Sequence, residues 1–255
     1  MADEVQNLVH RTINNVQILY KLDATLLDGK GRVLWAGKTA MCNCLNCGAT
    51  PKQMSKRHQN RPVDVSTFKF GMSPLHLRVR TMEWCCKAKL YQDMETWSIP
   101  AEWKFLKDAR MVEMQTAAKD LLGLDLYKVL PGCVGNSNTG NTSRKAFQNP
   151  EKFAQILDGD ETIVEIIRNL AKVLNAINSK SEIDPDKLEA FCQRTLDLIY
   201  DSKWSWNWLS HSVHVLLHHS PQIVRYLPTP PGNSFVYLYY LSCVFYSPVI
   251  KHNYP

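Results

Sequence analysis

Two cysteines near the beginning of the chain, Cys44 and Cys47, have the C-x-x-C spacing of metal ligands, and the turn-forming residue Gly48 follows at once. A structural zinc ion takes four ligands, and no second C-x-x-C pair occurs among the 255 residues. The other donors would have to be histidines, and four of the eight histidines lie between residues 211 and 219. A metal bound by both groups would clamp together two segments that are distant in the sequence.

The spacing of these histidines leaves the ligand pair open. On a regular helix His214 and His218 share a face, whereas His214 and His219 point about 140° apart. Two cysteines with two histidines form a closed tetrahedral site of the structural kind, which has no open position for a catalytic water. The same spacing is also compatible with an incidental C-x-x-C and with ordinary core or surface histidines, so both interpretations stand at this point.

The eight cysteines do not have the distribution of a disulfide framework. Three of them fall within residues 42–47, and Cys85 is adjacent to Cys86. The first residues, MADEVQNLVHRT, contain no apolar segment of a secretory signal. Cysteines of this kind are typical of metal or redox sites inside the cell. We therefore expect a nuclear or intracellular protein that is not secreted.

The composition predicts a folded and mildly basic protein. The hydrophobic fraction is 45% and the charged fraction 21%, as in globular proteins. The net charge of +6 is compatible with a nucleic-acid partner. Residues 233–250 are apolar and aromatic, but this segment is too short and too rich in tyrosine for a membrane span, which needs about 20 apolar residues. We therefore expect no membrane association.

Helical patterns dominate the sequence and predict a mainly α fold. Residues 101–122 and 161–177 place apolar side chains at helical spacing. Three helix starts carry a capping residue, and in two of them a proline follows the cap: Asn149-Pro150, Asp160 and Asp184-Pro185. A last helix is expected from about residue 210 to residue 220, where Pro221 would end it.

Two segments do not fit this helical pattern. Residues 22–35 alternate around Asp28-Gly29 and predict a short β-hairpin in front of the helices. Residues 130–147, rich in glycine, asparagine, serine and threonine, predict a loop that ends in Arg144-Lys145.

Four motifs, in order along the chain, resemble those of the Transib and Chapaev transposases, to which the catalytic subunit of the V(D)J recombinase is related. They are TLLDGKGRVL, CLNCGAT, GCVGNSNTGNTSRKAF and the run WSWNWLSHSVHVLLHHSPQIV. The resemblance covers about residues 22–232. It implies a structural Zn²⁺ bound by Cys44, Cys47, His214 and His219, with His218, at a non-ligand position of the family, as the alternative.

A ligand pair at positions i and i+5 requires that the helix carrying the histidines depart from regular α-helical geometry. Both imidazoles reach one ion only if the helix is distorted or ends there, and Pro221 offers a reason for it to end.

The resemblance also implies a fold and a chemistry. These transposases have an RNase H-like core with an inserted helical zinc-binding region, and three carboxylates of the core hold two Mg²⁺ ions. Asp28 matches the second carboxylate. The first aspartate is not found, and no acidic residue occurs from residue 202 to residue 255, where the glutamate is expected. Mg²⁺ is thus expected only in the intact parent enzyme, and this chain is expected to be inactive.

The implied domains are a remnant of the nuclease core over residues 1–36, a helical zinc-binding region over residues 37–232, and a divergent apolar tail over residues 233–255. In the family the helical region contacts DNA. The candidates here are side chains of the GNTSRKAF motif and its flank, which combine hydrogen-bonding groups with positive charge: Asn138, Asn141, Thr142, Arg144 and Lys145. We expect DNA binding that is salt-dependent and not sequence-specific.

Two other functions compete with this expectation. The chain is a nuclease or strand transferase if another chain or a longer isoform supplies the missing carboxylates. It is a zinc-stapled protein-interaction domain if only protein contacts were kept, with a homodimer through the apolar tail as one form. The resembled recombinases also work as dimers. Trp204, Trp206 and Trp208 are interpreted mainly as packing residues, with base stacking as the alternative.

Overall fold

The computed structural model describes residues 43–57, 61–95, 101–129, 136–179 and 181–226, together with Leu34 and four short strand segments outside these ranges. The described part is mainly helical. Its helices are α1 (Pro51–Met54), α2 (Pro74–Leu90), α3 (Lys104–Leu122), α4 (Gly140–Gln148), α5 (Pro150–Ile156), α6 (Glu161–Ala176), α7 (Pro185–Asp201), α8 (His211–His214) and α9 (Ser220–Tyr226). A π-helical turn, Val215–His219, connects α8 directly to α9.

The strands are short and form two small sheets. Strand β1 (Arg11–Ile13) pairs antiparallel with β2 (Val16–Leu19), which also pairs antiparallel with β5 (Val249–Lys251). Strand β3 (Thr25–Leu27) pairs in parallel with β4 (Phe70–Met72). Asp28 and the rest of the turn expected at residues 28–33 lie outside the described residues. The described residues do not support the hairpin predicted over residues 22–35, because Leu34 is helical and β3 pairs with β4.

Two of the three predicted helix caps are confirmed. The third is wrong: Asn149 makes no capping hydrogen bond to α5, and its side-chain amide instead donates to the carbonyl of Lys145 at 3.0 Å. The carboxylate of Asp160 accepts a hydrogen bond from the backbone N–H of Ile163 at 3.0 Å, which satisfies a free donor in the first turn of α6. Asp184 does the same for α7 by accepting from the N–H groups of Asp186 and Lys187. Pro185 begins α7, where its missing N–H costs nothing because that donor would have no partner in the helix.

The core is built around α6, whose apolar stripe is fully buried. That stripe packs against α5 on one side and α7 on the other. It consists of Ile163, Ile166, Ile167, Leu170, Val173 and Leu174. Since this stripe runs the length of α6, it fixes the positions of the helices that pack on it.

The three tryptophans at 204, 206 and 208 differ in burial: Trp204 belongs to this packing, Trp206 is half-buried, and Trp208 is 43% exposed. Trp204 is completely buried and meets Trp84 of α2 edge to face, with ring centroids 5.6 Å apart. The indole N–H of Trp84 donates to the backbone carbonyl of Trp208 at 3.0 Å. The interpretation of Trp204 as a packing residue therefore agrees with the structure, and Trp204 is not available to stack on a base.

The predicted loop at residues 130–147 is partly wrong. From Gly140 onward the chain is helix α4, because Thr139 caps it by accepting a hydrogen bond from the backbone N–H of Thr142, and because Ala146 and Phe147 are buried in the core. At Gly140 the chain lies close to Leu75, and a Cβ at this position would displace the end of that exposed side chain. The small polar residues that indicated a loop are the capped first turn of a helix.

No helix among the described residues combines the length and apolar character needed to cross a lipid bilayer.

We predict that Asp160→Ala lowers the free energy of unfolding by about 1 kcal/mol, because α6 loses its N-terminal cap. Asp160→Asn is the matched control: it removes the charge that faces Lys203 but keeps a capping oxygen. Urea denaturation of the three proteins checks this, with the Asn variant expected close to wild type. Equal losses in the two variants would show that the charge of Asp160, and not the cap, supplies the stability.

Candidate metal centre

The C-x-x-C segment forms a tight turn that presents both sulfur atoms on one side. The backbone N–H of Cys44 donates to the carbonyl of Ala49 at 2.8 Å, and the N–H of Gly48 donates to the carbonyl of Cys44 at 2.7 Å. Gly48 has a φ of 67°, a left-handed conformation that glycine adopts without strain. This turn is why a glycine follows the second cysteine.

The turn is anchored to the body by Asn46, which is completely buried between the two cysteines. Its side-chain amide donates to the hydroxyl of Thr67 at 3.0 Å, and its backbone carbonyl accepts from the N–H of Asp64 at 2.8 Å. A buried polar side chain that is hydrogen-bonded in this way fixes local geometry. Asn46 thus fixes the turn that carries the two sulfur atoms to the segment around Thr67.

The histidines reach the same place because their helix contains a π turn. The backbone N–H of Ser220 donates to the carbonyl of Val215, five residues earlier, in place of the four-residue spacing of an α-helix. This wider turn rotates His219 onto the side of the helix where His214 lies. The Nε2 atoms of the two imidazoles are 3.2 Å apart.

The expectation that Pro221 ends this helix is wrong. The helix continues through Pro221 to Tyr226. A proline inside an α-helix lacks an N–H donor, and its ring clashes with the carbonyl four residues earlier. The π turn just before Pro221 breaks the regular ladder at this point, so the proline is accommodated by distortion and not by termination.

Four donor atoms converge from the two ends of the described region: those of Cys44, Cys47, His214 and His219, all within 4.8 Å of one another. Sγ of Cys47 lies 3.4 Å from Nε2 of His214, across 167 residues of sequence. In an ideal tetrahedral zinc site the S···N and N···N separations are about 3.5 and 3.3 Å, as follows from Zn–S and Zn–N bonds of about 2.3 and 2.0–2.1 Å. The spacing of the donors therefore fits a tetrahedral ion.

The burial of the donors also fits a structural ion. Cys44, His214 and His219 are 2–3% exposed, and Cys47 is partly buried. All four positions around the ion would be filled by protein atoms, which leaves no position for substrate or water. The arrangement can stabilise a fold, and it does not provide a Lewis-acid catalyst.

Outer contacts orient the imidazoles, as is usual around protein-bound metals. Nδ1 of His219 is 2.8 Å from Oε1 of Gln222, which leaves Nε2 free to act as the donor. His218, the alternative ligand, is not part of the four-residue group. Its ring instead lies against that of His214, with centroids 4.7 Å apart.

The site also shifts the pKa values of its members. A hydrogen bond from the Cys44 thiol lowers the pKa of Cys47, and hydrogen bonds from His214 and His219 add to this effect. The same pairing with Cys47, together with burial, raises the pKa of Cys44. Burial lowers the pKa of His214, although hydrogen bonds with Cys47 and the Met54 backbone oppose the shift. Without a metal ion the pair is therefore a Cys47 thiolate held by a Cys44 thiol. Metal binding would displace the Cys44 proton, because a metal ion needs both sulfurs as thiolates and the imidazoles neutral.

The segment after the C-x-x-C turn is fastened to the C-terminal half of the described region by further contacts. The hydroxyl of Ser55 accepts a hydrogen bond from the backbone N–H of Leu209 at 2.8 Å. Arg57 forms an ion pair with Asp201 at 2.5 Å and a longer one with Asp197 at 3.5 Å. Helix α1 also packs on α8. The metal ligands therefore lie within a broader interface between distant parts of the chain.

The predicted DNA contacts do not all point to the surface. The side chain of Asn138 is engaged within the protein: its Oδ1 accepts from the N–H of Tyr127 and its Nδ2 donates to Glu83. Thr142 is buried and its hydroxyl donates to the carbonyl of Ser137. Asn141, Arg144 and Lys145 are exposed on α4.

Sequence reasoning missed Asn46 and Gln222, which support the ligands without binding the ion. A signal for Gln222 was its position three residues after His219, on the same face of a helix. Asn46 gave no comparable signal, because its partner Thr67 is 21 residues away. The predicted catalytic residue Asp28 lies outside the described residues.

A scan against models of known protein families finds no match to this chain, and a comparison with curated proteins finds no significant relative. Functional conclusions about the chain therefore depend on its own residues.

We predict that the protein loses stability as the pH falls below about 6.5, because His214 and His218 are held neutral in the fold. Burial lowers the pKa of His218 to about 3, and the neighbouring charges of His214 and His219 add to the shift. A depressed pKa means that the unfolded chain binds the extra proton. The contribution of His218 is therefore complete above about pH 6.5 and is lost progressively towards pH 3.

The measurement is the free energy of urea unfolding from pH 7.5 to pH 5 for wild type and for His218→Gln, which keeps polarity but does not titrate. The variant is expected to have a shallower pH dependence than wild type. Identical slopes in the two proteins would mean that His218 is not held neutral by the fold.

Proposed function

We propose that this chain contains a structural zinc-binding domain, derived from a Transib- or Chapaev-type transposase, that binds DNA without cleaving it. The observation that carries the zinc assignment is the convergence of two sulfur and two imidazole donors in a buried, closed group. Thiolate and imidazole together favour Zn²⁺ over the hard cations Mg²⁺ and Ca²⁺, which prefer oxygen ligands.

The proposed role of the ion is to hold the fold together. It would bind the turn that carries Cys44 and Cys47 to the helix that carries His214 and His219, and most of the described chain lies between them. Free energies of structural zinc binding are on the order of 10 kcal/mol near neutral pH, comparable to the whole stability of a domain. Zinc removal should therefore unfold the helical region.

The transposase origin is supported by the order and spacing of the motifs in the sequence. Residues 1–36 are proposed as a remnant of the RNase H-like core on that ground alone. With one of three carboxylates identified, Asp28, the chain would not hold two Mg²⁺ ions, and we expect no Mg²⁺-dependent nicking of DNA. Nicking that is lost in Asp28→Ala would instead favour an active nuclease.

The proposed DNA contact is the exposed side of α4. Arg144 and Lys145 are adjacent and exposed there, and Asn141 lies one turn earlier with its Oδ1 2.8 Å from the guanidinium of Arg144. Two cations and an amide on one helix suit phosphate oxygens, which carry no sequence information. The net charge of +6 supports long-range attraction to DNA.

We predict that His219→Ala abolishes stoichiometric zinc binding, whereas His218→Ala retains it. Only the first change removes a donor of the four-residue group, and the two residues are adjacent in the same π turn. Zinc content by mass spectrometry and thermal unfolding with and without chelator check the pair. Chelator should lower the melting temperature of wild type and of His218→Ala but have no further effect on His219→Ala. Zinc loss in His218→Ala alone would assign the ligand to His218.

We predict that Arg144→Ala/Lys145→Ala weakens DNA binding and flattens its salt dependence. If both cations contact phosphates, the slope of log K against log salt should become less steep by up to about 2. Gel-shift titrations over a range of salt concentrations measure this slope. The control is Lys187→Ala, which removes an exposed lysine from α7. An equal effect of the control would indicate diffuse electrostatics, and no complex of wild type at low salt would refute DNA binding.

A further inference from the structure

Helix α3 has two different apolar faces, and only one of them is covered by the described part of the protein. The covered face packs into the core through Arg110, Met114, Ala118 and Leu122. These positions follow helical spacing, so they account for how α3 attaches to the body. They do not account for the apolar residues on the opposite side.

The opposite side carries a row of four residues at spacings of four, three and four, here called the α3 stripe. Three are apolar, Phe105, Ala109 and Val112, and the fourth is Thr116, whose hydroxyl donates to the carbonyl of Val112 at 2.9 Å. All four residues are exposed, Phe105 by 74% and Val112 by 61%. Trp103, in the turn just before α3, is 40% exposed. The 4-3-4 spacing is that of a helix seam that meets another helix.

The charged residues that flank the α3 stripe are mostly acidic. Asp108 lies on one side of the stripe together with Lys119, whose charge is paired with Asp125, and Glu113 and Asp120 lie on the other side. The ion pairs formed by α3 within the described chain are Arg110–Asp93 and Lys119–Asp125, and neither Asp108 nor Asp120 takes part in one. On a protein of net charge +6, this is an apolar seam with negative borders.

We propose that the α3 stripe is a docking surface for a basic amphipathic helix of a partner protein. Apolar seam positions supply the contact, and the charges beside a seam select the partner. Four seam residues spread over eleven positions span about 16 Å, so three turns of a partner helix cover them. Lysine or arginine at the flanking positions of that helix would face Asp108, Glu113 and Asp120.

The negative borders exclude the other natural occupants of such a surface. A second copy of α3 would place acidic borders against acidic borders, which is unfavourable. DNA and anionic lipid surfaces are repelled for the same reason. The partner proposed for this surface therefore differs in charge from the DNA proposed to bind α4, and none of the stripe residues belongs to the metal centre.

The test uses two synthetic helical peptides of three heptads with leucine at every seam position. One peptide has lysine at all flanking positions and the other has glutamate. Binding to the full zinc-loaded chain is measured by calorimetry. The lysine peptide is expected to bind, and the glutamate peptide is expected to bind at least tenfold more weakly.

Two pairs of variants locate the binding. Val112→Ser should weaken binding of the lysine peptide at least tenfold, whereas Val129→Ser, the same change at a valine that is 76% exposed outside the stripe, should leave it unchanged. Asp108→Lys/Asp120→Lys should reverse the preference towards the glutamate peptide. Since these side chains are exposed, zinc content and melting temperature should be those of wild type, which verifies the fold.

Three results would overturn the proposal. They are absence of binding by the lysine peptide, equal loss in Val112→Ser and Val129→Ser, and a concentration-dependent dimer that Val112→Ser dissociates. The last result would assign the stripe to a second copy of this chain. None of these results bears on zinc or DNA binding, which have their own variants.

Discussion

The contact between the Cys47 thiolate and the His214 imidazole, at 3.4 Å, joins the two ends of the described helical region. Every element from α1 to α7 lies in the sequence between these two residues. A metal ion bound by the four donors would therefore close a very long loop. A cross-link that closes a long loop lowers the entropy of the unfolded chain more than one that closes a short loop. The apolar core around α6 forms the interior of the helical region. The convergence of four donors fixes the position of the turn at Cys44 and Cys47 relative to the helix of His214 and His219.

The fold is arranged to bring these donors together from unlike local structures. The cysteines lie on a turn that closes with a left-handed glycine, and Asn46 fixes this turn to Thr67. The histidines lie on a helix with one π turn, a local irregularity that is frequent at functional sites. A regular helix in the same place would point the two imidazoles apart. The distortion is thus part of how the site is built. It also accommodates Pro221, which a regular α-helix would not.

Much of the helical fold could be predicted because its signals are local. Asp160 and Asp184 cap helices by bonding backbone donors two or three residues away, and their sequence context is sufficient to show it. The predictions at Thr139 and Pro221 failed for different reasons. Small polar residues suit both a loop and a capped helix start, and burial of Phe147 decides between them. A proline stops a helix or distorts it, and only the packing around His219 selects the distortion.

The central claim is that two sulfur and two nitrogen atoms bind one zinc ion, and X-ray absorption at the zinc K-edge tests it most directly. The purified chain, expressed with zinc and freed of excess metal, should give two scatterers at about 2.3 Å and two at about 2.0–2.1 Å. The imidazole outer-shell features should correspond to two histidines. A shell of four sulfur atoms, a shell of oxygen and nitrogen atoms alone, or the absence of stoichiometric zinc would contradict the account.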